Sequence, residues 1–195
     1  MNARHLSLGL LLLVALACGV DTVQAEESWT PPGPAIGARF PTALNLPDQA
    51  GVKRDFATLQ GEKGTVVVFV RSADWCSFCM AQLRDVNRRF ASFRDLGWSV
   101  VAVSVDPVSE VAEFYDEQVI QYVMLADSDG AVVKSLGIRD PSYRPGKKEP
   151  GIPQPVIFAV DRKGIVRAKF AERGFRTRPD LDEVLAELGR LNSAG

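Results

Sequence analysis

The stretch Val66 to Leu83, VVVFVRSADWCSFCMAQL, joins an apolar run, a short polar break and two cysteines three positions apart. Thr65 to Val70 is β-branched and aromatic with no alternation, the composition of a strand buried on both faces. From Cys79 the period changes. Cys79, Leu83, Val86, Phe90 and Phe93 recur at helical spacing on one face, while Arg84, Arg88, Arg89 and Arg94 fall off it. Gly97 supplies the helix stop, and Trp98 to Val105 (WSVVAVSV) reads as a second buried strand. Strand, helix and strand with short links predict a right-handed crossover and a parallel strand pair.

Working outward, Asp106-Pro107 sets a capping side chain before a proline suited to a first turn, which predicts a helix through about Glu117. YVMLAD (122–127) reads as a short strand and AVVKSLGI (131–138) as a short helix ended by Gly137. Residues 139–155 hold Pro141, Pro145, Pro150, Pro153 and Pro155, which predicts a long loop of the kind that often carries function. VIFAVDRKGIVRAKF (156–170) is two apolar runs joined by Asp161 to Gly164, an antiparallel hairpin. Pro179 opens a closing helix whose Leu181, Val184, Leu185, Leu188 and Leu191 form one stripe. Near the front, LNLPDQAGVKRDF (44–56) suits a short hairpin at the edge of the domain. The fold class expected is α/β: a central mixed β-sheet flanked by helices, its parallel half first and its antiparallel hairpin second.

The chain has 195 residues, 46% hydrophobic and 24% charged, enough for one sizeable core. Its 23 basic and 24 acidic residues give a net charge of -1, with no electrostatic case for nucleic acid or an anionic membrane. Arg4 and His5 precede an apolar segment from Leu6 to about Val20, and Val23-Gln24-Ala25 follows, so residues 1–25 read as a signal peptide cut after Ala25. The apolar core is shorter than the ~20 residues of a spanning helix. Lipidation at Cys18 is disfavoured by the residues Ala15 to Ala17 before it. The expectation is export to the periplasm, with no stable membrane insertion afterwards. Residues 26–39, rich in proline and small residues, read as a flexible, exposed lead-in to a single domain over 40–192.

Cleavage would remove Cys18 and the one histidine, His5, and leave only Cys76 and Cys79. A zinc site needs about four ligands, which the remaining residues do not offer. Ser-His and Cys-His catalysis fall for want of a histidine, and no glycine fingerprint for a nucleotide is present. No metal and no cofactor are expected. A structural disulfide across so short a loop restrains the unfolded chain least. The remaining reading is redox. Cys76 falls at the first turn of a helix, where unpaired N–H groups and the macrodipole favour a thiolate. Cys79, one turn on and more buried, is placed to attack a mixed disulfide formed at Cys76. The RSAD turn (71–74) is expected at the surface, with Arg71 favouring the thiolate and Asp74 opposing it.

WCSFC after VVVFV, VVAVSVD after the helix, PVIFAVDRKGIV near the end and the closing FRTRPDLDEVLAEL together resemble the thioredoxin-fold redoxins. Within these the match is to the peroxiredoxin-like branch of the alkyl hydroperoxide reductase/thiol-specific antioxidant (AhpC/TSA) family, from about Phe40 to Leu191. The resemblance implies a proline flanking the disulfide, with a cis peptide bond before it. Pro155 aligns best and Pro153 second. It also implies departures. Typical peroxiredoxins have a threonine and a proline where this chain has Ala73 and Phe69, and an arginine at the place of Pro155, so the hydroxyl and guanidinium that polarise a peroxide are missing from their usual positions. Val70 stands where thioredoxins have an acidic residue, and Gln82 where related thiol reductases often have Glu.

Three functions follow. The leading one is an exported thiol–disulfide oxidoreductase acting on protein thiols or disulfides and drawing on a thiol electron donor. In it Cys76 and Cys79 form the redox-active disulfide, while Trp75, Phe78 and Pro155 contact the partner. The others are a two-cysteine peroxidase, in which Cys76 forms a sulfenic acid that Cys79 condenses with, and a non-enzymatic assembly module. The missing histidine argues against copper delivery.

Overall fold

The structure is a computed structural model that describes residues 29–41, 44–142 and 151–193. The expected signal peptide, Cys18 and much of the proline-rich loop lie outside the described residues. In chain order the elements are β1 (Leu46–Pro47), β2 (Lys53–Arg54), a 3-10 turn (Phe56–Leu59), β3 (Gly64–Phe69), α1 (Ser77–Arg88), α2 (Phe90–Asp95) and β4 (Trp98–Ser104). They continue with α3 (Val108–Glu117), β5 (Val123–Ala126), α4 (Ala131–Ser135), β6 (Val156–Asp161), β7 (Val166–Phe170) and α5 (Leu181–Ser193).

Five strands form one sheet in the order β5-β4-β3-β6-β7. β3 pairs in parallel with β4, and β4 with β5; β6 runs antiparallel to both β3 and β7. This is the mixed sheet expected, with β3 at its centre. The unbroken apolar run follows from that position. Val66, Val68 and Val70 join the core on one face with Leu83, Val111 and Leu188, and Val67 and Phe69 join that on the other with Phe40, Phe56 and Ile138. At the head of β3, a Cβ on Gly64 would run into the Val160 carbonyl of β6, so only glycine permits this close strand approach.

Three expectations change on folding. The single helix expected from Cys79 to Phe93 is two, broken at Arg89 (φ -100°, ψ 7°). There the Arg89 side chain donates to Asp85 and, at 3.1 Å, to Asp182 of α5. The apolar stripe runs through the break without a change of spacing, so periodicity carries no sign of it. Asp106 does not cap α3, because Pro107 takes the cap position with no side-chain bond. Its carboxylate turns back across the sheet end instead, accepting from Ala73 N–H at 2.6 Å and Ser104 Oγ–H at 2.5 Å. Finally, the lead-in lies along β7: Gly37 N–H donates to Val166 O at 2.8 Å, and Lys169 Nζ to Pro31 O at 2.8 Å. Phe40 at its end is fully buried, with ring centroids 5.6 Å from both Phe56 and Phe158.

Candidate active site

β3 ends at the polar break, which is not the surface turn that its composition suggests. Arg71, Ser72 and Ala73 are buried, and exposure begins only at Asp74 and Trp75. Three backbone N–H groups of this turn are satisfied by buried side chains. Ser72 Oγ accepts the N–H groups of Asp74 at 2.9 Å and Trp75 at 3.0 Å, while Asp106 takes that of Ala73. Two side chains thus hold the backbone that presents Cys76.

Cys76 is the N-cap of α1, with extended backbone (φ -97°, ψ 94°), and its carbonyl accepts from Cys79 N–H at 2.9 Å and Met80 N–H at 3.0 Å. Its sulfur accepts a further contact from Cys79 N–H at 3.3 Å. This is where a helix favours negative charge. Cys76 and Cys79 are joined by a disulfide, their Cα atoms 5.2 Å apart. Cys76 is only 6% exposed and Cys79 not at all, so the expected order of accessibility holds on a far more covered pair. Trp75 and Phe78, each 42% exposed, stand at the mouth.

The guanidinium on the sulfurs is not Arg71. Arg71 stacks between aromatic rings, 4.3 Å from the Phe175 centroid and 5.7 Å from that of Trp75, with the Asp140 carboxylate at 3.9 Å. Its place is structural cover over the turn. Arg178, from the segment between β7 and α5, points Nη2 at Cys79 Sγ (3.1 Å) and Cys76 Sγ (3.9 Å). Its Nε donates to Gln82 Oε1 at 2.8 Å, and Nη1 donates to the carbonyls of Phe175 at 2.5 Å and Thr177 at 3.0 Å. Every N–H of the fork therefore has an acceptor. Burial, followed by the nearby charge of Arg71, lowers its pKa to about 10. The cation stands next to two neutral sulfurs, and a thiolate formed by reduction would accept a charge-assisted bond from it.

Gln82, marked in the sequence as a neutral substitute for Glu, is this arginine's anchor and is buried on α1. Arg178 itself belongs to FRTRPDLDEVLAEL, a stretch informative only through resemblance; charge and spacing there gave no reason to place it over a cysteine. Asp106 and Ser72 were also missed as site-builders. The available signals were Asp106 at the end of an apolar strand, read as a helix cap, and Ser72 in the RSAD break, read as a surface turn.

Pro155 is buried immediately before β6, whose Val156 pairs with Phe69 at the end of β3. Its peptide bond is trans, as are all those among the described residues, in place of the cis form that the resemblance implies. The chain around it runs extended, with Gln154 N–H donating to Ile138 O at 2.8 Å and Arg139 bridged to Pro153. Across the turn, Asp74, Glu110, Glu113 and Glu117 line a small cavity of about 110 Å³. Burial, with the charges of Asp106, Asp74 and Glu113, raises the Glu110 carboxyl above its ordinary value. One flank of the disulfide is acidic and the other carries Arg176 and Arg178. Among the described residues no three His, Cys, Asp or Glu side chains converge as metal ligands.

The sequence matches the AhpC/TSA family over residues 36–169. It is 33% identical over 155 residues to the Mycobacterium tuberculosis protein named "Putative peroxiredoxin Rv1608c", covering 77% of this chain and 94% of that one. It is 23% identical over 154 residues to "Thiol-disulfide oxidoreductase ResA" of Bacillus cereus, covering 78% of each. Among solved structures it resembles Peroxidoxin BcpB of Mycobacterium tuberculosis, with a TM-score of 0.68 and 24% identity over 83% of this chain and 99% of that one. The chain is a redox protein of the AhpC/TSA family, peroxiredoxin-like, built on a thioredoxin-like fold.

Proposed function

We propose that the protein is a thiol–disulfide oxidoreductase working through Cys76 and Cys79. The observation that carries this reading is the disulfide at the head of α1 under a guanidinium, with only Cys76 reachable from outside. A thiolate of the partner attacks Cys76 Sγ, the Cys76–Cys79 bond breaks, and its electron pair leaves on Cys79 Sγ. Arg178 stabilises that leaving thiolate, which lowers the barrier to exchange. In the other direction the Cys76 thiolate attacks a partner disulfide, and Cys79 then displaces the partner. Trp75 and Phe78 offer apolar contact at the mouth. Pro155 is assigned to the partner-facing backbone by resemblance. The signal-like first residues support export as part of the same proposal.

One observation favours a second reading, a peroxidase. Arg178 brings a guanidinium to the sulfurs from another segment, which offsets the loss of the arginine at Pro155, although Ala73 still supplies no hydroxyl to orient a peroxide. Chemistry separates the two. The reduced protein is expected to reduce insulin disulfides, and Cys79→Ser to accumulate a mixed disulfide through Cys76, seen by mass spectrometry. Thiol loss with hydrogen peroxide no faster than that of a small free thiolate removes the peroxidase. Rapid, saturable peroxide consumption with no action on insulin reverses the assignment.

A further inference from the structure

Beside the disulfide lies a groove of about 310 Å³, lined by Phe78, Gln82, Arg88, Arg176, Arg178 and Pro179 among others. It shares Arg178 with the sulfurs, so whatever fills it lies within one guanidinium of Cys79. Its charge is unbalanced. The Asp85 carboxylate on its wall is already held by Arg88 at 2.9 Å and by Arg89. Among the described residues Arg176 has no carboxylate partner, and Arg178, whose N–H groups are all in use, adds its charge without one. Gln82 adds an independent sign. It is only 5% exposed, its Oε1 is used by Arg178, and its Nε2 has no hydrogen-bond partner. A buried donor left without an acceptor is costly, and Gln82 is one of the residues that line this groove. The opposite flank, with Asp74, Glu110, Glu113 and Glu117, repels the same kind of group.

We propose that this groove holds the carboxylate of a low-molecular-weight thiol that reduces the Cys76–Cys79 disulfide. The proposal rests on the redox reading above and names the class of its electron donor. The volume favours a small molecule, being at the low end of the roughly 300–1,000 Å³ of small-ligand sites. In the first step the donor thiolate attacks Cys76 Sγ, and the protein disulfide bond breaks with its electron pair on Cys79. In the second, another donor thiolate attacks the donor sulfur of the mixed disulfide, releasing the donor disulfide and the Cys76 thiolate. The two protons shed by the donor thiols are taken up by the cysteines through solvent. Two thiols are oxidised and one disulfide is reduced.

The test uses the oxidised full chain with glutathione and with glutathione diethyl ester, which share a thiol and differ in their carboxylates. Reduction is followed by Trp75-sensitive fluorescence and by thiol release, each rate normalised to attack on hydroxyethyl disulfide. Glutathione is expected to react about tenfold faster than its ester at low salt. That ratio should fall toward one in 1 M salt and in Arg176→Gln, a change at an exposed position that the fold tolerates. Equal normalised rates for the two thiols overturn the groove assignment while leaving the redox pair intact. A disulfide inert to both, and to dithiothreitol, overturns the redox reading itself. If the ratio is one but Arg176→Gln slows reduction by a protein dithiol, the occupant is an acidic protein segment and the small-thiol proposal is wrong.

Discussion

Arg178 shows how a single side chain reaches the chemistry from far along the chain. Its guanidinium is held at three points, by Gln82 and the carbonyls of Phe175 and Thr177, so the remaining nitrogen is aimed at the sulfurs before any reduction occurs. Such preorganisation favours the thiolate form of the pair. Arg178→Gln is therefore expected to raise the apparent pKa of the reduced cysteines by about one unit, equivalent to about 1.4 kcal/mol. Arg178→Lys should recover part of the shift, keeping the charge but not the fork. Absorbance of the thiolate across a pH titration of the reduced protein measures both. An unchanged titration in Arg178→Gln would reduce the arginine to a packing role.

At the scale of elements, the β1–β2 hairpin depends on one buried carboxylate. Asp48 accepts Ala50 N–H and Val52 N–H at 2.9 Å each and Arg54 Nε–H at 2.6 Å. Burial pushes its pKa upward, but the Arg54 bond and the two amides outweigh this and hold it below the ordinary 3.8. A carboxylate depressed on folding stabilises the native state above its unfolded pKa, and that contribution is lost as pH falls through the folded value. Asp48→Asn should thus lose about 1–2 kcal/mol at neutral pH by urea unfolding. Its deficit against the parent should narrow in acid, and a deficit independent of pH would contradict the sign. The same hairpin was legible in the sequence from its alternation around Gly51. The break at Arg89 was not, because the apolar stripe continues through it and the Asp182 partner of Arg89 lies 93 residues along the chain.

For the molecule as a whole, stability resides in the two cores on either side of the sheet, not in the cross-link. The disulfide spans a sequence separation of only 3, so the chain-entropy relation assigns it about 2 kcal/mol. Reduction should cost no more than this in denaturant unfolding. Leu188→Ala, at a fully buried position of α5, should cost about 2–5 kcal/mol. A reduced protein that fails to fold would invert that order. The sequence by itself determined the strands, most of the helix spans, the mixed sheet and the cysteine pair at a helix head. These depend on side-chain period and on groups within about one turn of each other, which chain order displays directly. Tertiary structure alone decided which charge faces the sulfurs and which carboxylate braces their loop. Arg178 lies 99 residues from Cys79 and Asp106 lies 33 from Ala73. At such separations it is the packing of the sheet and helices that selects partners, and no local pattern records it.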